Sequence, residues 1–165
     1  MLQLRKIESE SPQIISQLAN NHKIAKNLRD IFPHPYTVDN AISFIELVKT
    51  GVLGHVFGIY VDNNFVGCCS LIPQSDVYRI NAELGYWIGE PYWCNGYATE
   101  TVRQLVEMAF NDFGIKRVFA NVFEYNTASM RVLEKVGFEK EAIIKSSVIK
   151  DGQIYDEHIY SIKRA

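Results

Sequence analysis

Trp93-Cys94-Asn95-Gly96-Tyr97-Ala98-Thr99-Glu100-Thr101-Val102-Arg103-Gln104-Leu105-Val106-Glu107 decides how the rest of the chain is read. Small and polar residues run straight into an amphipathic segment, so a turn feeds a helix. Just upstream, Ala82-Glu83-Leu84-Gly85-Tyr86-Trp87-Ile88 alternates as a strand does. A strand, a glycine turn and a helix start together form a pocket for negative charge. The first-turn N–H groups have no intrahelical acceptor, and the helix dipole favours an anion beside them. Gly96 removes a side chain where a ligand must come close.

Two common phosphate sites are excluded. No G-x-x-x-x-G-K-[ST] occurs, so the nucleoside-triphosphate loop is missing. No G-x-G-x-x-G followed by an acidic strand end occurs either, which leaves a dinucleotide site unsupported.

Working outward, Ala98–Phe113 predicts a helix with Ala98, Val102, Leu105, Val106, Ala109, Phe110 and Phe113 on one face. Arg117–Val122 then reads as a strand. Asn126 or Thr127 caps a second helix, which Gly137 ends. Glu141–Ile149 and Gln153–Lys163 flank an Asp151-Gly152 tip and predict a hairpin. Toward the N-terminus, Leu2–Ile7 reads as a strand and Pro12–Leu28 as one helix. Phe32–Tyr36 is a proline-bounded loop, and Thr37 caps a helix over about Val38–Lys49 that stops at Gly51. His55–Val61 and Phe65–Leu71 predict another hairpin.

Two blocks in this arrangement resemble the GNAT superfamily of acyl-CoA N-acyltransferases. The family's first motif has glutamine or arginine, two residues, glycine, one residue, then glycine or alanine. Here Trp93 departs from the first position, whereas Gly96 and Ala98 match. An aromatic followed by G-Y-A-T-E is similar to the branch of ribosomal-protein N-terminal acetyltransferases, the RimJ/RimL type. A second block, N-x-x-S-x-x-V-L-E-K-x-G-F, matches from Asn126 to Phe138. The resemblance covers roughly residues 50–163, and the first fifty residues match more loosely.

The resemblance implies a single α+β domain over residues 1–165. Its central sheet should be mixed and mostly antiparallel, splayed at a bulge, with helices on both faces. Gly85 and Gly89 fit such a bulge or a close approach. Acetyl-CoA is the implied cosubstrate, with no metal. Its pyrophosphate falls to the turn Trp93, Cys94, Asn95, Gly96, Tyr97, Ala98 and Thr99. Its pantetheine arm falls to the main chain of Tyr86, Trp87 and Ile88, with Asn126 and Ser129 helping to hold it. Glu83 is the expected general base, and Ser129 is expected to contact the coenzyme sulfur. The tyrosine that many family members use as acid is replaced by Leu133. His34 and Tyr36 fall in the region that lines the acceptor pocket in relatives. Cys94 stands where glycine is usual, so close backbone approach, not nucleophilic chemistry, is the expectation.

The acceptor amine must be neutral to attack. At pH 7 an α-amine of pKa about 7.7–8.0 is roughly a tenth to a sixth neutral, whereas lysine near ~10.4 is neutral roughly once in 2,500 molecules. The absent tyrosine acid and the RimJ/RimL-like motifs make a protein N-terminal α-amine the acceptor that the resemblance favours. A small amine (polyamine, amino acid or aminoglycoside), a different acyl group and a non-catalytic acetyl-CoA sensor are the alternatives. Composition agrees with an enzyme: 47% of the 165 residues are hydrophobic and the formal net charge is −2. That balance argues against a nucleic-acid surface. No apolar run approaches the ~20 residues of a membrane span, and three cysteines form no disulfide or zinc pattern. A cytoplasmic location is expected; oligomeric state stays open.

Overall fold

The computed structural model describes residues 1–165. In chain order the strands are β1 (Leu2–Lys6), β2 (His55–Val61), β3 (Asn64–Pro73), β4 (Asn81–Ile88), β5 (Arg117–Phe123), β6 (Glu139–Lys150) and β7 (Gln153–Lys163). The helices are α1 (Pro12–Ala19), α2 (His22–Ala25), α3 (Val38–Thr50), α4 (Tyr97–Asn111) and α5 (Thr127–Val136). The strands join one seven-stranded sheet in the order β1-β2-β3-β4-β5-β7-β6. Every pairing is antiparallel except β4 with β5.

Local chemistry explains most boundaries. Thr37 and Asn40 form a reciprocal capping box at the start of α3, and Gly51 closes that helix at φ 77°. Asn126 caps α5 and Gly137 ends it, again with positive φ. The single helix expected over Pro12–Leu28 is instead two. Asn20 leaves helical geometry, and the Asn21 side chain accepts from the Lys23 N–H to start α2. Asparagine competes for main-chain bonds in this way, and two in succession outweigh the apolar spacing that predicted continuity.

Each sheet face carries its own core. On one side α4 and α5 cover Leu71, Ala82, Leu84, Val118, Ala120 and Tyr160 with Val102, Leu105, Ala109 and Leu133. On the other, α1 and α3 bury Ile15, Ala41, Ile45 and Val48 against Val56, Tyr60, Phe65 and Cys68. Within α4, Thr101 joins the buried face, while Phe113 lies beyond the helix and stacks on His55 at 4.1 Å between centroids.

The sheet opens at its middle. The parallel pairing of β4 and β5 covers Asn81–Glu83 opposite Arg117–Phe119 and then stops. Leu84–Ile88 continue on β3 alone. The expected bulge in β4 is absent, since its register on β3 runs unbroken from Ala82 to Ile88. Divergence of β5 makes the opening instead. Gly67 draws the end of β4 onto β3: a Cβ there would stand 2.2 Å from the Trp87 carbonyl oxygen. Gly89 marks a close approach, with Leu18 only 2.9 Å from a built Cβ.

Candidate active site

Alternation along β4 determines what faces the opening. The Gly89 N–H donates to the Val66 carbonyl at 2.8 Å. In an antiparallel ladder the main-chain groups two and four residues back point the same way. Trp87 and Gly85 therefore turn theirs toward β3, and Tyr86 and Ile88 turn theirs into the opening. The Trp93 indole N–H takes the Ile88 carbonyl at 2.7 Å, which folds the following turn back over the strand end. Trp87, whose main chain was expected beside that of Tyr86 and Ile88 on the coenzyme, turns those groups to β3 instead, and its indole enters the second core. There it meets Phe32 and Phe65 edge-on at 5.9 and 6.1 Å.

Beyond β4, the turn presents main-chain donors. Asn95 Nδ2 donates to the Tyr92 and Trp93 carbonyls at 3.1 and 2.9 Å, tightening the chain. Cys94 and Gly96 adopt φ 62° and 78°. The N–H groups of Cys94, Asn95, Gly96, Tyr97, Ala98 and Thr99 donate to no protein acceptor, the first such bond being Glu100 to Gly96. Successive unpaired N–H groups at a helix start form an anion cradle. A Cβ at Gly96 would meet nothing within 4 Å, so the turn is open to solvent at that point. These residues fit a coenzyme pyrophosphate.

On the same side, the α5 N-terminus aims at the opening. Asn126 Oδ1 accepts the Ser129 N–H at 3.3 Å, and Ser129 Oγ lies 2.8 Å from the Tyr86 hydroxyl. Burial pushes the Tyr86 phenol up to about 12, against the opposing effect of the Ser129 bond. The pair is thus a standing hydrogen-bond donor at neutral pH.

The other sheet face holds a cavity of about 390 Å³ that runs from the opening to α3. Glu83 on β4, Asn121 on β5 and Glu157 on β7 line it at the opening. They share a face because Phe123 pairs with Glu157 and Asn121 with Ile159 across β5 and β7. Arg29, from the segment after α2, donates to Glu83. Burial raises the Glu157 pKa; Arg29 opposes this and Glu83 adds to it. Asn121 Oδ1 is buried without a hydrogen-bond partner. Tyr36 lines the cavity on Phe32 at 4.9 Å. Burial and then the Cys68 thiol push its phenol up to about 12. His34 does not line the cavity; it packs edge-on against His22 at 5.5 Å.

The structure thus separates the sequence-predicted residues into two groups. The turn from Trp93 to Thr99, Tyr86, Ile88, Asn126 and Ser129 gather on one side of the opening; Glu83, Tyr36 and Trp87 gather on the other. Sequence reasoning missed the Tyr86 hydroxyl, Arg29, Asn121 and Glu157. Alternation in β5 and β7 would have put Asn121 and Glu157 on matching faces, but their mutual register was not readable.

An anion cradle beside a split sheet, with an acceptor-sized cavity behind it, is the geometry the motifs implied. The profile of the acetyltransferase (GNAT) domain matches residues 1–139. The chain belongs to the GNAT acetyltransferase family. As such it is an N-acetyltransferase, of a family that uses acetyl-CoA. It is 28% identical over 150 residues to the uncharacterized N-acetyltransferase p20 of Bacillus licheniformis, covering 87% of this chain and 82% of that one. Matches to three Bacillus subtilis relatives span only 46 to 50% of their length. Among solved structures, the ribosomal-protein α-N-acetyltransferase RimL in complex with coenzyme A superposes with TM-score 0.85 at 20% identity, over 98% of this chain and 93% of that one. Spermidine N-acetyltransferase from Vibrio cholerae, in complex with coenzyme A and spermine, gives 0.83 at 21%, over 98% and 95%. At these identities the likeness to the two GNAT structures is one of fold.

Proposed function

We propose that this GNAT chain is a single-domain, cytoplasmic enzyme of the RimJ/RimL type that acetylates a protein N-terminal α-amine. Glu157 is the observation that carries the acceptor. It is a carboxylate facing the cavity at the opening, with a proton affinity raised first by burial. Such a weak base suffices for an α-amine, which is about a tenth neutral at pH 7, but leaves a lysine of pKa near ~10.4 almost wholly charged.

Acetyl-CoA supplies the acetyl group as a thioester when bound. The N–H groups from Cys94 to Thr99 hold its pyrophosphate, and the main chain of Tyr86 and Ile88 runs beside its pantetheine arm. Glu83, held by Arg29, faces the ammonium form of the acceptor, and Glu157 takes the proton that ammonium must lose. The Ile88 N–H, pointing into the opening, polarises the carbonyl under attack. Tyr86 and Ser129 meet the departing sulfur. A phenol near pKa 12 does not yield its proton to a thiolate whose own acid has a pKa of roughly 8.5. The pair therefore stabilises the thiolate by hydrogen bonding, and solvent completes the protonation. This arrangement substitutes for the acid absent at Leu133.

A small primary amine is the second reading, since a cavity of about 390 Å³ has room for one. The test is incubation with acetyl-CoA and a mixture of N-terminal peptides, polyamines, amino acids and aminoglycosides, read by mass spectrometry. Mass detection avoids thiol reagents, which the exposed Cys94 would consume. Acetylation of peptide α-amines is expected. Product on small amines alone would end the N-terminal reading.

A further inference from the structure

From the lining of the acceptor cavity we infer that the amine this enzyme acetylates is carried beside a bulky, uncharged apolar group, such as an N-terminal leucine, methionine or phenylalanine. The inference rests on the α-amine reading and adds the class of residue that bears the amine.

Charge in the cavity is confined to one end. Glu83, Glu157 and Arg29 stand at the opening between β4 and β5. Away from it, the wall is made by Phe32, Phe44, Leu47, Leu53, Val56 and Trp87, and fifteen of the twenty-five lining residues are hydrophobic. No carboxylate lies at the α3 end, where Asn40 and Ser43 are the polar side chains. An amine placed between the carboxylates therefore directs whatever it carries into an apolar chamber.

Three kinds of acceptor separate on this geometry. A polyamine would set a second ammonium against Phe44, Leu53 and Val56, where no carboxylate lines the wall to pair with it, and a charge held against apolar surface without a partner is disfavoured. A free amino acid would bring its own carboxylate against Glu83 and Glu157, with Arg29 already engaged by Glu83. A peptide presents a neutral amide there, and a large apolar first side chain fills the chamber. Burying such a side chain contributes roughly 1.5–3 kcal/mol, which converts to roughly ten- to a hundredfold in kcat/KM over glycine. In the reaction the amine nitrogen bonds to the acetyl carbon and the carbon–sulfur bond breaks. The displaced proton passes through Glu157 to solvent, and the sulfur leaves as thiolate.

The experiment compares kcat/KM for short peptides of identical tail beginning with glycine, serine, leucine or phenylalanine, beside 2-phenylethylamine, free leucine and spermidine. Leucine and phenylalanine peptides at least about tenfold above glycine and serine support the inference. Glycine or serine peptides turned over equally well, or better, overturn it and leave the α-amine reading standing. Product on 2-phenylethylamine with no peptide acetylated keeps the apolar requirement and removes the N-terminal reading. A preference for spermidine overturns both. Leu47→Glu puts a charge into the chamber from a half-exposed position of α3. It should pull the leucine-to-glycine ratio down toward one while coenzyme affinity, measured separately, certifies the fold. An unchanged ratio would place the apolar group elsewhere and overturn the inference.

Discussion

The two sides of the split sheet are built from different materials. On the side proposed for the coenzyme the unpaired donors are main-chain N–H groups in one short run, Cys94–Thr99, shaped by the positive φ of Cys94 and Gly96. On the acceptor side the wall is side chains delivered from far apart in sequence. Arg29 reaches Glu83 across 54 positions, Lys150 on β6 reaches Asp30 across 120, and the Tyr125 hydroxyl reaches the Lys26 carbonyl across 99. A main-chain site tolerates side-chain change as long as the turn keeps its shape. A side-chain site can be re-specified residue by residue. One GNAT scaffold can thus keep its cosubstrate while acceptors vary.

That contrast breaks most sharply at Glu157. Glu157→Gln keeps size and removes basicity, so kcat should fall on the order of 10²–10⁴-fold while coenzyme affinity holds. Glu157 must be deprotonated to accept a proton. The wild-type kcat therefore declines as pH falls through its folded pKa, which lies above the ordinary glutamate value of 4.5. The glutamine variant should lose that limb. A variant retaining full kcat would return the base role to Glu83.

Gly96→Val addresses the opposite side. Valine at φ 78° is strained by about 1–3 kcal/mol, and relief of that strain would turn the neighbouring N–H groups away from their common focus. Calorimetry should show coenzyme A bound about a hundredfold more weakly. Unchanged affinity would move the pyrophosphate off this turn.

The same contrast explains what could be read from sequence. β2 and β7 have the boundaries their turn residues predicted, and Thr37, Asn126, Gly51 and Gly137 cap where local chemistry demands. The turn with its run of unpaired N–H groups was legible as a strand-to-helix turn because all its parts are neighbours in the chain. Tyr86 was legible only as main chain, because its hydroxyl acquires meaning from Ser129, 43 positions away. Glu157, the proposed base, was missed because its place at the cavity comes from lying beside β5 in a register that no local pattern encodes. The break at Asn20-Asn21 was missed for a different reason: apolar periodicity spans it, and only the Asn21 cap reveals it.

Tyr86 and Ser129 join two elements on the same side of the opening, since β4 supplies one hydroxyl and α5 the other. Tyr86→Phe should lower kcat about tenfold, the scale of one hydrogen bond to a charged partner. Ser129→Ala should do the same, and the double variant should lose little more, because the two hydroxyls act as one unit. Additive losses would mean that they serve separate steps.

The smallest effect is expected at Arg29. Its guanidinium is more than half exposed, so the bond to Glu83 contributes little to stability, about 0–1 kcal/mol for such a pair. In Arg29→Ala the melting temperature should shift by no more than about 2–4 °C. The segment from Asn27 to Phe32 would lose its tie to β4 yet stay anchored through Lys150 to Asp30 and through Tyr125 to Lys26. The peptide KM should rise severalfold, with the coenzyme Kd unmoved, because Arg29 touches only the acceptor side. If the coenzyme Kd rose as well, the two sides would share one closure, and the division between a main-chain half and a side-chain half would fail where Glu83 joins them.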